Sequence, residues 1–319
     1  MQSKGIISPI KHSTWVASIV PELKKNGKVR ICRDYKLTIN QATPTGTYPL
    51  SRIEELLAAM SGGKYFSKLD LQDAYLQLPL VTASKQYAAI NTRRGLFKNN
   101  REPFGVASAP AIFQRHMEML LQGVDGVSVY LDDILVAGHT LYEHLNRLAE
   151  VLQHLENSGM RLNKQKCLFL CSSIEYLWHV VDEVGTHPTE EKVKAIKEAP
   201  APTNATQLRS FLGLINYYDK FLPKLAANLT PLYPLLNKCQ RWVWNDKQQA
   251  AFQHAKDALQ SDALLTHYDP AKPLVLACDA SDYGVGAVLS HVVDGGKERP
   301  GLLHTSPELL RQQRNITLS

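Results

Sequence analysis

The sequence predicts an α+β protein organised on an antiparallel sheet, and three observations predict it. Residues 127–138, VSVYLDDILVAG, place two acids between two runs of β-branched and aliphatic residues, the pattern of a hairpin. Helices with capping boxes at their starts and glycines at their ends follow such strands and can pack behind them. A proline-bearing boundary, KEAPAPTNATQ, with Pro200 and Pro202, then separates this part from a stretch of helical periodicity.

The chain of 319 residues has room for two or three domains. Hydrophobic residues make up 44% and charged residues 21%, with no apolar run near the roughly 18 residues of a membrane span, so no membrane partner is expected. The start, MQSKGIISPI, has no secretory signal pattern, which predicts an intracellular location, cytoplasmic or nuclear. Five scattered cysteines, Cys32, Cys167, Cys171, Cys239 and Cys278, argue against a disulfide framework, and the Cys167/Cys171 pair has no second pair at zinc-ligand spacing. A net charge of +6 suits a polyanionic partner without demanding one.

In chain order, residues 16–21 and 29–32 read as strands joined through Lys24, Lys25, Asn26 and Gly27, a hairpin on which Lys25 and Arg30 either meet phosphates or solubilise an edge. Ser51 and Glu54 form a capping box for a short helix ending at Gly62 and Gly63. Residues 65–71 alternate as a strand and carry Asp70 at its end, with Asp73 and Tyr75 just beyond. Small residues from Gly105 to Pro110 lead into a helix with Ser108 as N-cap and Phe113, Met117 and Leu120 on its apolar stripe. After the YLDD hairpin, Thr140 and Glu143 cap a long helix with Leu141, Leu145, Leu148, Leu152 and Leu155 on one face. Residues 161–170 and 174–181 read as two further strands. Beyond the prolines, Leu208, Phe211, Leu212, Ile215, Tyr218 and Leu222 follow helical spacing, and a second helix covers about residues 246–259, with Phe252 and Leu259 inward. Residues 273–277 form a strand that Asp279 ends, a second strand follows Gly284 and Gly286, and the polar stretch after Pro300 shows no strand alternation.

An Asp-Asp dipeptide by itself fits a solvated turn. Asp70 on a neighbouring strand makes it a cluster of three carboxylates, which needs a proton, a basic partner or a divalent cation. Such a cluster suits two-metal nucleotidyl transfer, with Mg2+ as the hard cation that oxygen ligands prefer.

FSKLDLQDAY, PFGVASAPAIFQ, YLDD, QLRSFLGLINYYDKFLPKLA and LACDASDYGVGAVLSH occur in an order that resembles the reverse transcriptase and ribonuclease H region of a Gypsy-type long-terminal-repeat retrotransposon polyprotein. The resemblance implies a right-hand polymerase fold, with fingers and palm over residues 1–187, a thumb and connecting helical region over 188–267, and an incomplete ribonuclease H-like α/β domain over 268–319. It implies that Asp70, Asp132 and Asp133 hold two Mg2+ ions, and that Lys25 and Arg30 meet the incoming deoxynucleoside triphosphate. Tyr75 would lie under its sugar and exclude a 2′-OH, while Phe104 and Gly105 would lie near the template base. Tyr176, Leu177, Trp178 and His179 would steady the primer, and Asp279 would be a vestigial ribonuclease H acid. The partners implied are an RNA or DNA template with its primer.

Three departures stand out. Trp178 replaces the glycine of YLGH, Glu102 replaces the leucine before PFG, and the later ribonuclease H acids have no counterparts after Pro300. The expectation is an RNA-directed DNA polymerase without ribonuclease H activity. The alternative is an inactive retrotransposon-derived fragment that only binds nucleic acid.

Overall fold

A computed structural model describes residues 1–23, 27, 29–43, 48–218, 225–237, 241–258, 265–266, 273–281, 284–293 and 297–306. They form two compact units, Met1–Ala59 with Tyr65–Cys171, and Met60–Lys64 with the chain from Ser172.

The first unit holds two sheets. β1 (Ile7–Ile10), β2 (Val16–Leu23), β3 (Val29–Asp34), β5 (Ala89–Thr92) and β6 (Gly95–Asn99) form one, in the order β1-β6-β5-β2-β3, with short helices α1 (Ile39–Ala42) and α2 (Ile53–Ala58) following β3 in the chain. The predicted hairpin is present, β2 pairing antiparallel with β3 so that Leu23 faces Val29. Lys24, Lys25 and Asn26 in its turn, and the side chain of Arg30, lie outside the described residues. The second sheet comprises β4 (Tyr65–Asp70), β7 (Val127–Tyr130), β8 (Asp133–Gly138) and β9 (Leu168–Cys171), in the order β7-β8-β4-β9 and antiparallel throughout. Helices α3 (Ala109–Leu120) and α4 (Leu141–Asn157) bury Phe113, Met117, Leu148, Val151 and Leu155 with Leu69, Val129, Ile134 and Val136 of this sheet. Burial of that many aliphatic and aromatic side chains supplies the driving force that holds the acid-bearing strands in place.

Local details differ from the sequence expectation. Helix α2 is capped one residue later than Ser51 and Glu54 suggest: Glu55 Oε2 accepts from the Arg52 N–H at 3.2 Å, and Ser51 Oγ turns instead to Glu118 Oε1 at 3.0 Å. On α4 the Thr140 cap is present, its hydroxyl accepting from the Glu143 N–H at 3.2 Å. The buried face, however, is His144, Leu148, Val151 and Leu155, while Leu141 and Leu145 are 45% and 44% exposed. The rotation has a cause. His144 Nε2 lies 2.8 Å from Ser67 Oγ in the buried interior, and a Cβ on Gly138 would sit 2.7 Å from His144, so the helix seats its histidine on the sheet. Of the strand expected over 161–170 only the end is regular: Leu162 makes a single bridge to Leu71, and the Lys166 N–H bonds to Asn163 O in a turn.

The second unit contains β10 (Ser173–Tyr176), β11 (His179–Asp182) and β12 (Gly185–Pro188), which with β13 (Leu265–Thr266) form a sheet in the order β10-β11-β12-β13. The single strand expected over 174–181 is thus a hairpin, folded at Leu177 and Trp178. Helices α5 (Glu190–Lys197), α6 (Ala205–Asn216), α7 (Leu225–Leu229) and α8 (Asp246–Ala258) share a core in which Phe211 and Phe252 meet at 4.6 Å. Leu208, Phe211, Leu212, Ile215 and Tyr218 are buried as the periodicity requires, whereas Leu222 and Leu259 lie outside the described residues. A last sheet is β14 (Leu274–Ser281), β15 (Gly284–Val293) and β16 (Lys297–Ser306). Asp279 falls inside β14 opposite Gly286, not at the strand's end, and its side chain is outside the described residues. β16 is a strand where the sequence predicts none: Pro300 and Gly301 interrupt its alternation, and the register shifts at Leu289/Ser290, with Ser290 opposite Pro300. Among the described residues, no helix is long and apolar enough to cross a membrane.

Candidate active site

Strand register brings the three acids together. In the β4/β8 pair Asp70 lies directly opposite Asp133, and in the β7/β8 hairpin Tyr130 lies opposite Asp133, so that Leu131 and Asp132 form the turn. The Leu71 N–H donates to Asp132 O at 3.1 Å, tying this turn to the chain just beyond β4. Leu131 adopts φ 55, a left-handed conformation that costs an L-residue about 1–2 kcal/mol, and it persists because its surroundings fix it.

Gln114, a residue that the apolar stripe of α3 gives no reason to single out, is part of those surroundings. Its buried side-chain amide accepts from the Leu131 N–H at 2.7 Å and donates to Val129 O at 2.8 Å. Among the described residues β7 is the outer strand of its sheet, and this one amide bonds Val129 within it and Leu131 just beyond its end, spaced as a residue of a parallel neighbouring strand would bond them.

The acids are not equivalent. Asp70, 8% exposed, holds Lys166 Nζ at 3.0 Å, and Asp133 holds Lys68 Nζ at 3.0 Å. Lys166 is pushed above the usual lysine range by its hydrogen bond to Asp70. Among the described residues no ammonium group pairs directly with Asp132, although the charge of Lys166 lies near enough to act on it. Burial pushes its carboxyl up, and the nearby charges of Asp133 and Asp70 add to that. Among the described residues no three His, Cys, Asp or Glu side chains close around a metal as they stand, Cys167 and Cys171 included. The donor chemistry nonetheless fits Mg2+: three carboxylates gather at one sheet end, two neutralised by ammonium groups and the third left with excess negative potential.

Tyr75 stands beside this end. It follows Asp73, which takes φ 50, and packs edge-on against Phe104 at 5.0 Å and Phe113 at 5.1 Å. Burial and then the charge of Asp132 push its hydroxyl up to about 12, so it is a neutral phenol at any working pH. Gly105 needs to be glycine: its φ is +101, and a Cβ would meet Arg33 O at 2.5 Å. Asn40 clamps the same loop, its amide donating to Gly105 O and accepting from the Ala107 N–H, both at 2.9 Å. Glu102, just before this loop, is buried and its carboxyl is raised to about 7 by desolvation alone.

Tyr176, Leu177, Trp178 and His179 belong to the second unit. Tyr176 pairs with His179, and the two residues between them have φ of 48 and 62, a type I′ turn. The turn's carbonyls are capped: Tyr217 Oη donates to Leu177 O at 2.8 Å and Tyr218 Oη to Trp178 O at 3.1 Å. His179 is buried against both tyrosine rings, and the 54% exposed Trp178 indole lies 4.3 Å from Lys192 Nζ.

Residues 23–181 match the family described as reverse transcriptase (RNA-dependent DNA polymerase). Two Schizosaccharomyces pombe relatives, the Transposon Tf2-3 and Tf2-7 polyproteins, are each 36% identical over 298 residues, 93% of this chain. The chain belongs to the reverse transcriptase family. It spans 22% of the length of those curated relatives. Residues 244–318 match an RNase H-like domain found in reverse transcriptase, so the reverse transcriptase part is followed by RNase H-like sequence. The fold agrees with solved structures of foamy viral protease-reverse transcriptase. The one in complex with double-stranded DNA and named dRH has a TM-score of 0.86 at 24% identity, covering 100% of this chain and 59% of that one. The one in complex with RNA/DNA hybrid has a TM-score of 0.81 at 23% identity, covering 99% and 44%.

Proposed function

We propose that this reverse transcriptase chain is the polymerase part of a Gypsy-type retrotransposon polyprotein and acts as an RNA-directed DNA polymerase on a primed RNA or DNA template. The observation that carries the reading is the register of Asp70 against Asp133 with Asp132 in the adjoining turn, beside the ring of Tyr75. Asp70, Asp132 and Asp133 would hold two Mg2+ ions, which supply activation of the primer hydroxyl and stabilisation of the leaving pyrophosphate. Tyr75, braced by Phe104 and Phe113, presents a rigid neutral ring that selects a deoxyribose by excluding the 2′-OH. Phe104 and Gly105 shape the template side, Lys25 and Arg30 supply cations for the triphosphate, and the hairpin at Tyr176, Leu177, Trp178 and His179 holds the primer. The proposal concerns polymerisation alone; Asp279 is given no cleavage role.

Primer extension on an RNA template with Mg2+ and deoxynucleotides tests this. Extension by the wild type that Asp132→Asn abolishes supports it; extension untouched by Asp132→Asn sinks it. A binding-only reading is favoured by Trp178, whose exposed indole occupies a left-handed turn position suited to glycine. Salt-sensitive retention of primed duplex without extension, in the wild type and in Trp178→Gly alike, is the result for that reading, whereas extension gained in Trp178→Gly shows a polymerase site that the indole blocks.

A further inference from the structure

We infer that Gln114 is the positioning residue of the carboxylate turn, and that the chain Tyr48 and Ser51 to Glu118 to Gln114 sets where Asp132 is held for the metal. The inference rests on the polymerase reading for its purpose and on the hydrogen bonds for its geometry. Leu131 must stay left-handed if Asp132 is to project from the turn, and a leucine has no intrinsic preference for that conformation. On one side the turn is held by the Leu71 N–H bond to Asp132 O. On its outer side, where β7 has no neighbouring strand among the described residues, the hold is the Gln114 amide, which bonds Val129 O and the Leu131 N–H together.

The amide's own orientation is determined in turn. An inverted carboxamide would present NH2 to the Leu131 N–H and oxygen to Val129 O, two repulsive contacts. Glu118, one helical turn along α3, excludes the inversion further by accepting from Gln114 Nε2 at 2.7 Å. Glu118 is itself fixed from two sides: Ser51 Oγ donates to its Oε1 at 3.0 Å, and the Tyr48 hydroxyl donates to Oε2. The segment just before α2, through Tyr48 and Ser51, therefore reaches the turn by way of Glu118 and Gln114. This also accounts for the displaced cap of α2, since Ser51 is bonded to Glu118 instead of serving its own helix.

The test uses Gln114→Met, which keeps the length and packing of the side chain but removes both bonds to the turn. Val151→Ala, a core variant of the same unit on α4, serves as a control for loss of stability. Mn2+ binding is titrated by electron paramagnetic resonance, with Asp132→Asn defining the acid-dependent site, and melting temperatures are measured in parallel. Gln114→Met is expected to weaken the Asp132-dependent Mn2+ site by about tenfold or more, the scale of losing a buried hydrogen-bond pair, while Val151→Ala melts earlier and binds Mn2+ as the wild type does. Equal Mn2+ affinity in Gln114→Met and Val151→Ala overturns the inference. A wild type that binds Mn2+ through Asp132 but extends no primer removes the polymerase reading and leaves the positioning role to be decided by the same titration. A wild type without an Asp132-dependent site overturns both.

Discussion

Replacing Trp178 by glycine is expected to stabilise the protein, although it deletes the largest side chain type from the turn. The residue sits at φ 62 between paired Tyr176 and His179, and both turn positions of a type I′ hairpin require positive φ. Holding an L-residue there costs about 1–2 kcal/mol relative to glycine. The indole returns part of that through Lys192, 4.3 Å from its ring, a contact worth about 0.5–1 kcal/mol at an exposed site. Alanine separates the two effects, because Trp178→Ala loses the Lys192 contact and keeps the left-handed Cβ, while Trp178→Gly loses both. Glycine should therefore be more stable than alanine by about 1 kcal/mol, after allowance for its greater freedom in the unfolded chain. At about 2–4 °C per kcal/mol for a unit of this size, the difference is measurable by differential scanning calorimetry. The order expected is glycine, then tryptophan, then alanine. Alanine melting with or above glycine would refute the claim that backbone conformation, and not the indole's contacts, dominates at this position.

Other outcomes follow from the first unit. Glu102→Gln should be more stable than the wild type by an amount that is small at pH 5 and grows to about 2–3 kcal/mol by pH 8 in urea titrations; the folded carboxyl is raised to about 7, so the wild type loses stability as pH rises from the unfolded value through that point. His144 has the opposite sign. Burial lowers its pKa, the folded state keeps the ring neutral, and stability is lost as pH falls through the ordinary histidine range; His144→Gln should flatten that acid limb in a melting-temperature profile. Gly105→Ala should cost about 1–3 kcal/mol or fail to fold, since the new methyl would press on Arg33 O, and chemical denaturation measures it. Tyr75→Ala should raise incorporation of ribonucleotides relative to deoxynucleotides in primer extension, with little change in their relative use counting against the sugar-gate role.

The sequence carried the elements whose signals are local. The hairpin around Gly27, the Thr140 cap and the apolar periodicity after Pro202 are each decided by neighbours a few residues apart, and all are present. Asp70, Asp132 and Asp133 were legible because a strand end and a turn dictate where their acids sit. What escaped depends on partners far along the chain. Ser51 looks like a helix cap until Glu118, 67 residues away, takes its hydroxyl. The leucine face of α4 looks complete until the buried bond between His144 and Ser67 turns the helix. YLWH alternates like a strand, and only the left-handed backbone of Leu177 and Trp178 shows that it folds on itself. Gln114 closes the PFGVASAPAIFQ motif, but the helical periodicity gave its side chain no role, because a glutamine within a helix is ordinarily a solvated residue.

The lysines on Asp70 and Asp133 have a consequence for how the chain reaches its folded state. Lys68 on β4 and Lys166 in the turn before β9 act as resident counter-ions, so the acidic sheet end is largely neutralised before any divalent ion arrives. Zinc-dependent domains behave differently, being unfolded until the metal comes. On the proposed function, Mg2+ would meet a sheet end already folded around its own ammonium groups instead of nucleating a site.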